Sequence, residues 1–188
     1  MPAPIITTER LELFAPTYED VAPMFAIMQH PDTWKHFGAP ISIANHTLRF
    51  FRNAGSWALC GYGGFMVREK GRPELLGNCG IFHSWRGLGE DFDDNPEAGW
   101  IISADHSGRG YASEAMTAVM EWFDATHGPR RVVAMIAPEN TVSHRLAARL
   151  GFKTFRQVDF DGSPHDLLER ATIHSQANLT ASDKRPLS

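Results

Sequence analysis

The sequence predicts a single α/β domain on a mixed sheet. Three observations predict it. Strand-like and helix-like stretches are interspersed along 188 residues, a length that fits one domain with a well-buried core. Two β-rich runs, Trp57 to Arg68 and Leu75 to His83, are joined by the short Lys70-Gly71-Arg72-Pro73 turn, as in an antiparallel hairpin. Beyond them an apolar stretch, a glycine turn, a long amphipathic helix and a second apolar stretch follow in order.

Taken in order, Ile5 to Phe14 reads as a strand, with Leu11 and Leu13 alternating against Arg10 and Glu12. Glu19 to Gln29 carries Val21, Met24, Phe25 and Met28 at helical spacing, and His30-Pro31 closes it. Trp34 to Ala54 reads as a less regular helical region broken by Gly38-Ala39-Pro40. After the hairpin, residues 86 to 97 form an acidic loop, and Ala98 to Ser103 the next strand. Ala112, Ala115, Met116, Val119, Met120 and Phe123 give a helix with one apolar face, ended by Gly128-Pro129. Val132 to Ile136 is a short strand. Pro138-Glu139-Asn140 opens a helix with Val142, Leu146 and Leu150 on one face, stopped by Gly151. Phe152 to Phe160 and Leu167 to Ile173 are strands around a turn at Asp161-Gly162. The expected domain is 1–174, and the Ser-, Asn- and Pro-containing stretch 175–188 is expected to be a frayed tail.

Composition narrows the function classes. The net charge is -4, so clustered cations for nucleic acid are not expected as a general feature. No apolar run approaches the roughly 18 residues that mark a transmembrane helix, so no membrane partner is expected. Met1-Pro2-Ala3-Pro4 lacks the basic and apolar regions of a signal peptide, and the two cysteines, Cys60 and Cys79, lie in apolar strand-like segments. These point to free thiols in a cytoplasmic chain. Nine histidines form no H-E-x-x-H or Cys/His ligand pattern, and no metal is expected.

Residues 107 to 113, Ser107-Gly108-Arg109-Gly110-Tyr111-Ala112-Ser113, lie between a strand and a long helix. Glycines let a ligand approach the backbone and take positive φ freely. The helix behind them presents unpaired N–H groups and a partial positive charge, which suit a pyrophosphate. Taken alone, the turn is equally a plain helix start with Ser107 nearby as cap. A dinucleotide fingerprint fits less well, because the turn trails its strand by several polar residues and no acidic residue closes a strand about 20 residues on. The third reading is coenzyme A.

That reading rests on a resemblance. Ile6-Thr7-Thr8-Glu9-Arg10-Leu11, Leu76-Gly77-Asn78-Cys79-Gly80-Ile81, Glu97-Ala98-Gly99-Trp100-Ile101-Ile102, the glycine turn, Pro138-Glu139-Asn140-Thr141-Val142-Ser143 and Leu150-Gly151-Phe152 follow in the order seen in the GNAT superfamily of acetyl-CoA-dependent N-acetyltransferases. The chain is most similar to its RimJ/RimL-type branch, over about residues 5 to 172. The resemblance implies one GNAT-like domain: a central, mostly antiparallel sheet splayed at an acyl-CoA slot and flanked by about four helices. It implies acetyl-CoA as co-substrate and a primary amine, on a protein or peptide N-terminus or a small molecule, as acceptor. It puts Ile101, Ile102 and Ser103 beside the pantetheine, residues 107 to 113 at the pyrophosphate, and Asn140 and Ser143 close to the coenzyme.

Attack on a thioester needs a neutral amine, donors for the carbonyl oxygen and a proton for the leaving thiolate. The tyrosine that many of these enzymes place seven residues after the helix-opening Asn is Ala147 here. Ser143 takes the position of the branch's thiol-protonating serine, although a Ser in a first helical turn is also ordinary helix-start chemistry. Glu97 is the candidate base, His83 a second, and deprotonation through water needs neither. Trp34, with His36 and Phe37, and His83 are candidates for the acceptor cleft. The acidic run Glu90-Asp91-Phe92-Asp93-Asp94 is either a solvated loop or an attractor of cationic amines. With the usual tyrosine absent, a non-catalytic acyl-CoA sensor of the same fold is the alternative, and homodimerisation is open.

Overall fold

The computed structural model, which describes residues 2–34 and 40–171, divides the first expected strand in two. Ile6–Thr7 (β1) folds back antiparallel on Leu11–Phe14 (β2). Thr8 makes the turn: its hydroxyl accepts the Leu11 N–H at 2.9 Å while its own N–H donates to the Leu11 carbonyl. Val21–Gln29 (α1) follows the expected periodicity, then a single turn Pro31–Trp34 (α2) and the long helix Ile43–Cys60 (α3). Ser42 caps α3 by accepting the Asn45 N–H at 3.2 Å.

The expected strand from Trp57 to Arg68 is corrected. Trp57 to Cys60 form the last turn of α3, and the strand is only Gly64–Glu69 (β3). Gly61 at φ 77° ends the helix, its N–H donating to the Trp57 carbonyl at 3.1 Å. An aromatic, apolar run resembles a strand, yet here Trp57 lies back on β3, with its indole N–H on the Gly64 carbonyl at 3.1 Å and its ring edge-on to Phe65. Cys60 therefore ends a helix.

Leu75–Phe82 (β4) pairs with β3 as the expected hairpin partner. The acidic loop contains one helical turn, Glu90–Asp93 (α4), before Glu97–Ile102 (β5). Tyr111–His127 (α5) crosses to Val132–Ile136 (β6), and Thr141–Arg149 (α6) leads to the hairpin Lys153–Phe160 (β7) and Ser163–Arg170 (β8). β8 starts well before the expected Leu167. Four of the helices, α1, α3, α5 and α6, exceed two turns. The expected tail 175–188, and with it His36 and Phe37, lies outside the described residues.

One eight-stranded sheet results, in the order β1-β2-β3-β4-β5-β6-β8-β7. Every pairing is antiparallel except β5 with β6. Period-two alternation sorts β3 between two cores. Phe65 and Val67 join Leu11, Leu13, Ala115, Met116, Val119 and Phe123 under α5, while Met66 turns to Met24, Met28 and Phe50 under α1 and α3. Burying a side chain such as Phe123 contributes roughly 3 kcal/mol. That packing fixes the N-terminus of α5 at the C-terminal end of β5, where the functional groups collect.

Candidate functional site

β5 and β6 part company almost as soon as they meet. β5 pairs with β4 along its whole length, from Phe82 opposite Glu97 to Gly77 opposite Ile102. Its pairing with β6 is a single register position, Glu97 with Val133, supported by the Val133 N–H on the Pro96 carbonyl at 2.9 Å. From Ala98 onward the β6-facing edge of β5 has no strand partner among the described residues. Such an edge offers peptide groups to an extended, amide-bearing ligand. Ile101 and Ile102 lie on this stretch, and Ser103 ends it by donating its N–H to the Leu76 carbonyl at 2.8 Å.

At the mouth of this wedge stands the glycine turn. Ser107 follows a 3-10 turn, Ala104–His106, and does not cap α5. The N-cap is Gly110 at φ 82°, without a side-chain cap, and Gly108 is at φ 77°. Both are in the left-handed region that glycine enters without strain. The first helical bond is Glu114 N–H to the Gly110 carbonyl at 3.0 Å, so the amides of Tyr111, Ala112 and Ser113 point out of the helix end. A helix end of this kind is suited to an anion. Arg109 turns its guanidinium back to the Asp105 carbonyl at 3.2 Å.

The turn is braced by residues to which the sequence alone assigns no role. Glu114 accepts the Thr8 hydroxyl at 2.6 Å, the Arg10 N–H at 2.9 Å and the Arg10 guanidinium at 2.6 Å. Arg10 also donates to the Arg109 carbonyl at 3.1 Å and lies over the Tyr111 ring at 4.8 Å. The Tyr111 hydroxyl donates to Glu69. Burial alone would raise the Glu114 carboxyl, but the Thr8 and Arg10 donors hold it below the usual carboxylate range.

On the other wall of the wedge, Asn140 opens α6 by accepting the Ser143 N–H at 3.1 Å. That bond uses the Ser143 backbone and leaves its hydroxyl. The Trp100 indole N–H reaches across from β5 to that hydroxyl oxygen at 3.2 Å. An indole can only donate, so Ser143 accepts there and keeps its own proton to give away. Ala147 is fully buried in the core.

Glu97 sits at the vertex, 3% exposed. Its two oxygens accept from Arg86, at 2.8 Å and 2.6 Å, and one also accepts from Ser84. His83 is placed apart from this pair: its N–H donates to Ser56 on α3 at 3.2 Å and its ring meets Trp85 edge-on at 5.1 Å. Trp34 closes α2, and among the described residues it makes no hydrogen bond or ring contact with His83. Two carboxylates of the acidic run are engaged within the protein. Asp93 is buried and accepts the N–H groups of Arg86, Leu88 and Gly89, and Asp91 pairs with Arg156 at 2.8 Å. Among the described residues no group of three His, Cys, Asp or Glu is placed to hold a metal, and no helix is long and apolar enough to cross a membrane.

Comparison with known proteins agrees with this geometry. The model of the acetyltransferase (GNAT) domain matches residues 10–153, well over half of the chain. The N-acetyltransferase YoaA of Bacillus subtilis (strain 168) is 25% identical over 177 residues, covering 87% of this chain and 93% of its own. A solved structure from Bordetella pertussis, described as of the GnaT acetyltransferase family, is 37% identical with a TM-score of 0.80, covering 88% of this chain and 98% of its own. RimL, a ribosomal L7/L12 alpha-N-protein acetyltransferase solved with coenzyme A, shares the fold at 16% identity and a TM-score of 0.70, over 90% of this chain and 98% of its own.

Proposed function

This chain belongs to the acetyltransferase (GNAT) family, and from that premise we propose that it moves an acetyl group from acetyl-CoA to a primary amine by direct attack within a ternary complex. The observation that carries the reading is the wedge between β5 and β6, open at every position beyond Glu97 and ending at the uncapped start of α5. The pantetheine amides lie along the free edge at Ile101 and Ile102, and the pyrophosphate sits on the amides of Tyr111, Ala112 and Ser113.

In the transfer the amine nitrogen forms a bond to the acetyl carbon and the carbon–sulfur bond breaks. Ser143 gives its proton to the departing thiolate, supported by an indole donor that leaves the hydroxyl proton free. Glu97, with both oxygens accepting from Arg86, works by holding that arginine. The amine enters neutral, having given its ammonium proton to water in the open cleft, and the proton it sheds on forming the amide returns through solvent to Ser143. An α-amino group of pKa near ~8 needs little more than this. Direct attack needs no acyl-enzyme, and Cys79 does not offer one: it is fully buried in the core, where burial pushes its thiol up to about 12.

The acceptor class is a protein or peptide N-terminus or a small amine, and the RimJ/RimL-type assignment draws support from the shared fold of RimL. A cytoplasmic setting agrees with two unpaired cysteines. The test has two readings. Acetyl-CoA, and not NADH or NADPH, is expected to raise the melting temperature. Thiol release with a panel of peptides and small amines then separates an enzyme from a protein that only binds acyl-CoA. Stabilisation by NADH alone ends the coenzyme A reading.

A further inference from the structure

We propose that the acceptor is an amine carrying an anionic group, a carboxylate or phosphate, and that Arg49 and Arg52 recognise it. The inference rests on the transferase reading above and deepens it on the acceptor side.

The placement starts from Ser56, whose hydroxyl accepts the His83 N–H at 3.2 Å and pins α3 against the end of β4. Arg52 lies one helical turn before Ser56 and Arg49 two turns before, on the same face. That face looks onto the loop after β4, where Arg86 forks onto Glu97 at the vertex of the wedge. The Arg86 guanidinium also lies over the Phe160 ring, 5.6 Å away, which brings the β7–β8 hairpin tip with Asp161 to the opposite side. Of the three arginines, Arg49 and Arg52 thus lie on the face of α3 turned toward the loop that carries Arg86, and the proposal places the acceptor's entry at this end of the wedge.

Only one of the three is neutralised. Arg86 has Glu97, whereas among the described residues neither Arg49 nor Arg52 donates a hydrogen bond or stands within ion-pair distance of a carboxylate. Both side chains are exposed on α3, yet desolvation first, then repulsion from Arg86, lowers both from their ordinary value, offset in part by Asp161 for Arg49 and by Glu97 for Arg52. Arginines so placed stay charged at neutral pH. Like charges gathered without a partner cost stability, and a bound anion recovers that cost through forked hydrogen bonds. The same field disfavours polycationic acceptors, and two carboxylates of the acidic loop, Asp91 and Asp93, are already engaged within the protein.

The experiment compares matched acceptors with the full chain at saturating acetyl-CoA. One arm sets the peptide Ser-Asp-Glu against Ser-Asn-Gln amide, and the other sets glycine against glycinamide, so peptide and small-molecule sources are distinguished. In at least one arm the anionic member is expected to have a kcat/KM about tenfold higher, a preference that weakens as salt rises. Arg49→Gln with Arg52→Gln is expected to bring the ratio to about one, while calorimetric affinity for acetyl-CoA stays at the wild-type value. Arg49→Lys with Arg52→Lys keeps the charge and retains most of the preference. A protein that binds acetyl-CoA but shows no charge preference in either arm overturns this inference alone. Preference that survives the glutamine pair overturns it too. Failure to bind acetyl-CoA overturns the transferase reading beneath it.

Discussion

Arg10 and Glu114 stand 104 residues apart in sequence and are joined by a forked contact, with guanidinium nitrogens 2.6 Å and 2.7 Å from one carboxylate oxygen. The other oxygen takes the Arg10 N–H and the Thr8 hydroxyl. An N-terminal hairpin thereby holds the first turn of the helix whose free amides suit an anion. Glu114→Gln is expected to lower stability at neutral pH by about 1 kcal/mol, a modest figure because the arginine side is exposed to screening solvent. The sign with pH follows from the depressed folded-state pKa of Glu114. Its contribution is complete above the ordinary carboxylate range and disappears as pH falls through the folded value. Urea unfolding between pH 3 and pH 7 should show a shallower acid loss in the variant; parallel curves would mean the clamp carries no linkage.

Gly110 allows a test of this helix end that separates backbone strain from charge. At φ 82°, asparagine and aspartate are the non-glycine residues that enter this region most readily, and they differ by one charge. Gly110→Asn is expected to bind coenzyme A within a few-fold of wild type. Gly110→Asp is expected to bind at least about tenfold more weakly than Gly110→Asn, through repulsion of the pyrophosphate. Equal affinities in the two variants would make the turn a helix start and nothing more. Calorimetric titration with coenzyme A reads the difference directly.

Legibility followed the range of the interactions involved. The glycine turn and the α5 face were readable because both depend on residues a few positions apart, Gly108 with Gly110 and Ala115 with Val119. The splay was not derivable from local pattern: Ala98 to Ile102 and Val132 to Ile136 are apolar runs whether they pair or diverge, and only the family resemblance pointed to it. Trp57 to Cys60 misled because an aromatic, apolar run overrode the weaker signal of Gly61 as a helix stop. Thr8, Arg10 and Glu114 were all visible, but their pairing is tertiary. Arg49 and Arg52 look like the solvated side of an amphipathic helix, and no local rule connects them with Arg86. The acidic loop showed its charge in the sequence and hid its partners, the backbone amides that Asp93 gathers from residues 86 to 89.

Arg86 and Glu97 form a pair whose halves are unequal to lose. Arg86→Ala leaves the Glu97 carboxylate, 3% exposed, with only the Ser84 hydroxyl as a hydrogen-bond donor among the described residues. Removing one partner of a buried pair costs about 3–5 kcal/mol, mostly the desolvation of the charge left behind. Adding Glu97→Gln to the same chain is expected to recover more than half of that loss. Denaturant midpoints of the single and double variants give the comparison. A single variant within 1 kcal/mol of wild type would show that water reaches the carboxylate, and the assignment of Glu97 to holding Arg86 would have to be abandoned.

Ser143 offers the cleanest separation of catalysis from structure, because Asn140 caps α6 through the Ser143 backbone N–H and not through its hydroxyl. Ser143→Ala keeps that cap. Helix α6 therefore stays capped, and overall stability is expected to fall by about 1 kcal/mol at most, for the lost hydrogen bond from Trp100. The thiolate, however, loses its proton source, and a positioned acid contributes at least about 100-fold in rate. The expected outcome is a kcat lowered by that order with coenzyme A affinity unchanged. Trp100→Phe removes the indole donor, 3.2 Å from the same oxygen, and should lower kcat by less, since the hydroxyl survives but is no longer oriented. Acetyl donors of raised reactivity add a second readout: with a thioester whose leaving thiol is more acidic than coenzyme A, Ser143→Ala should approach the wild-type rate. A defect of equal size with both thioesters would assign Ser143 to positioning the coenzyme, not to proton transfer.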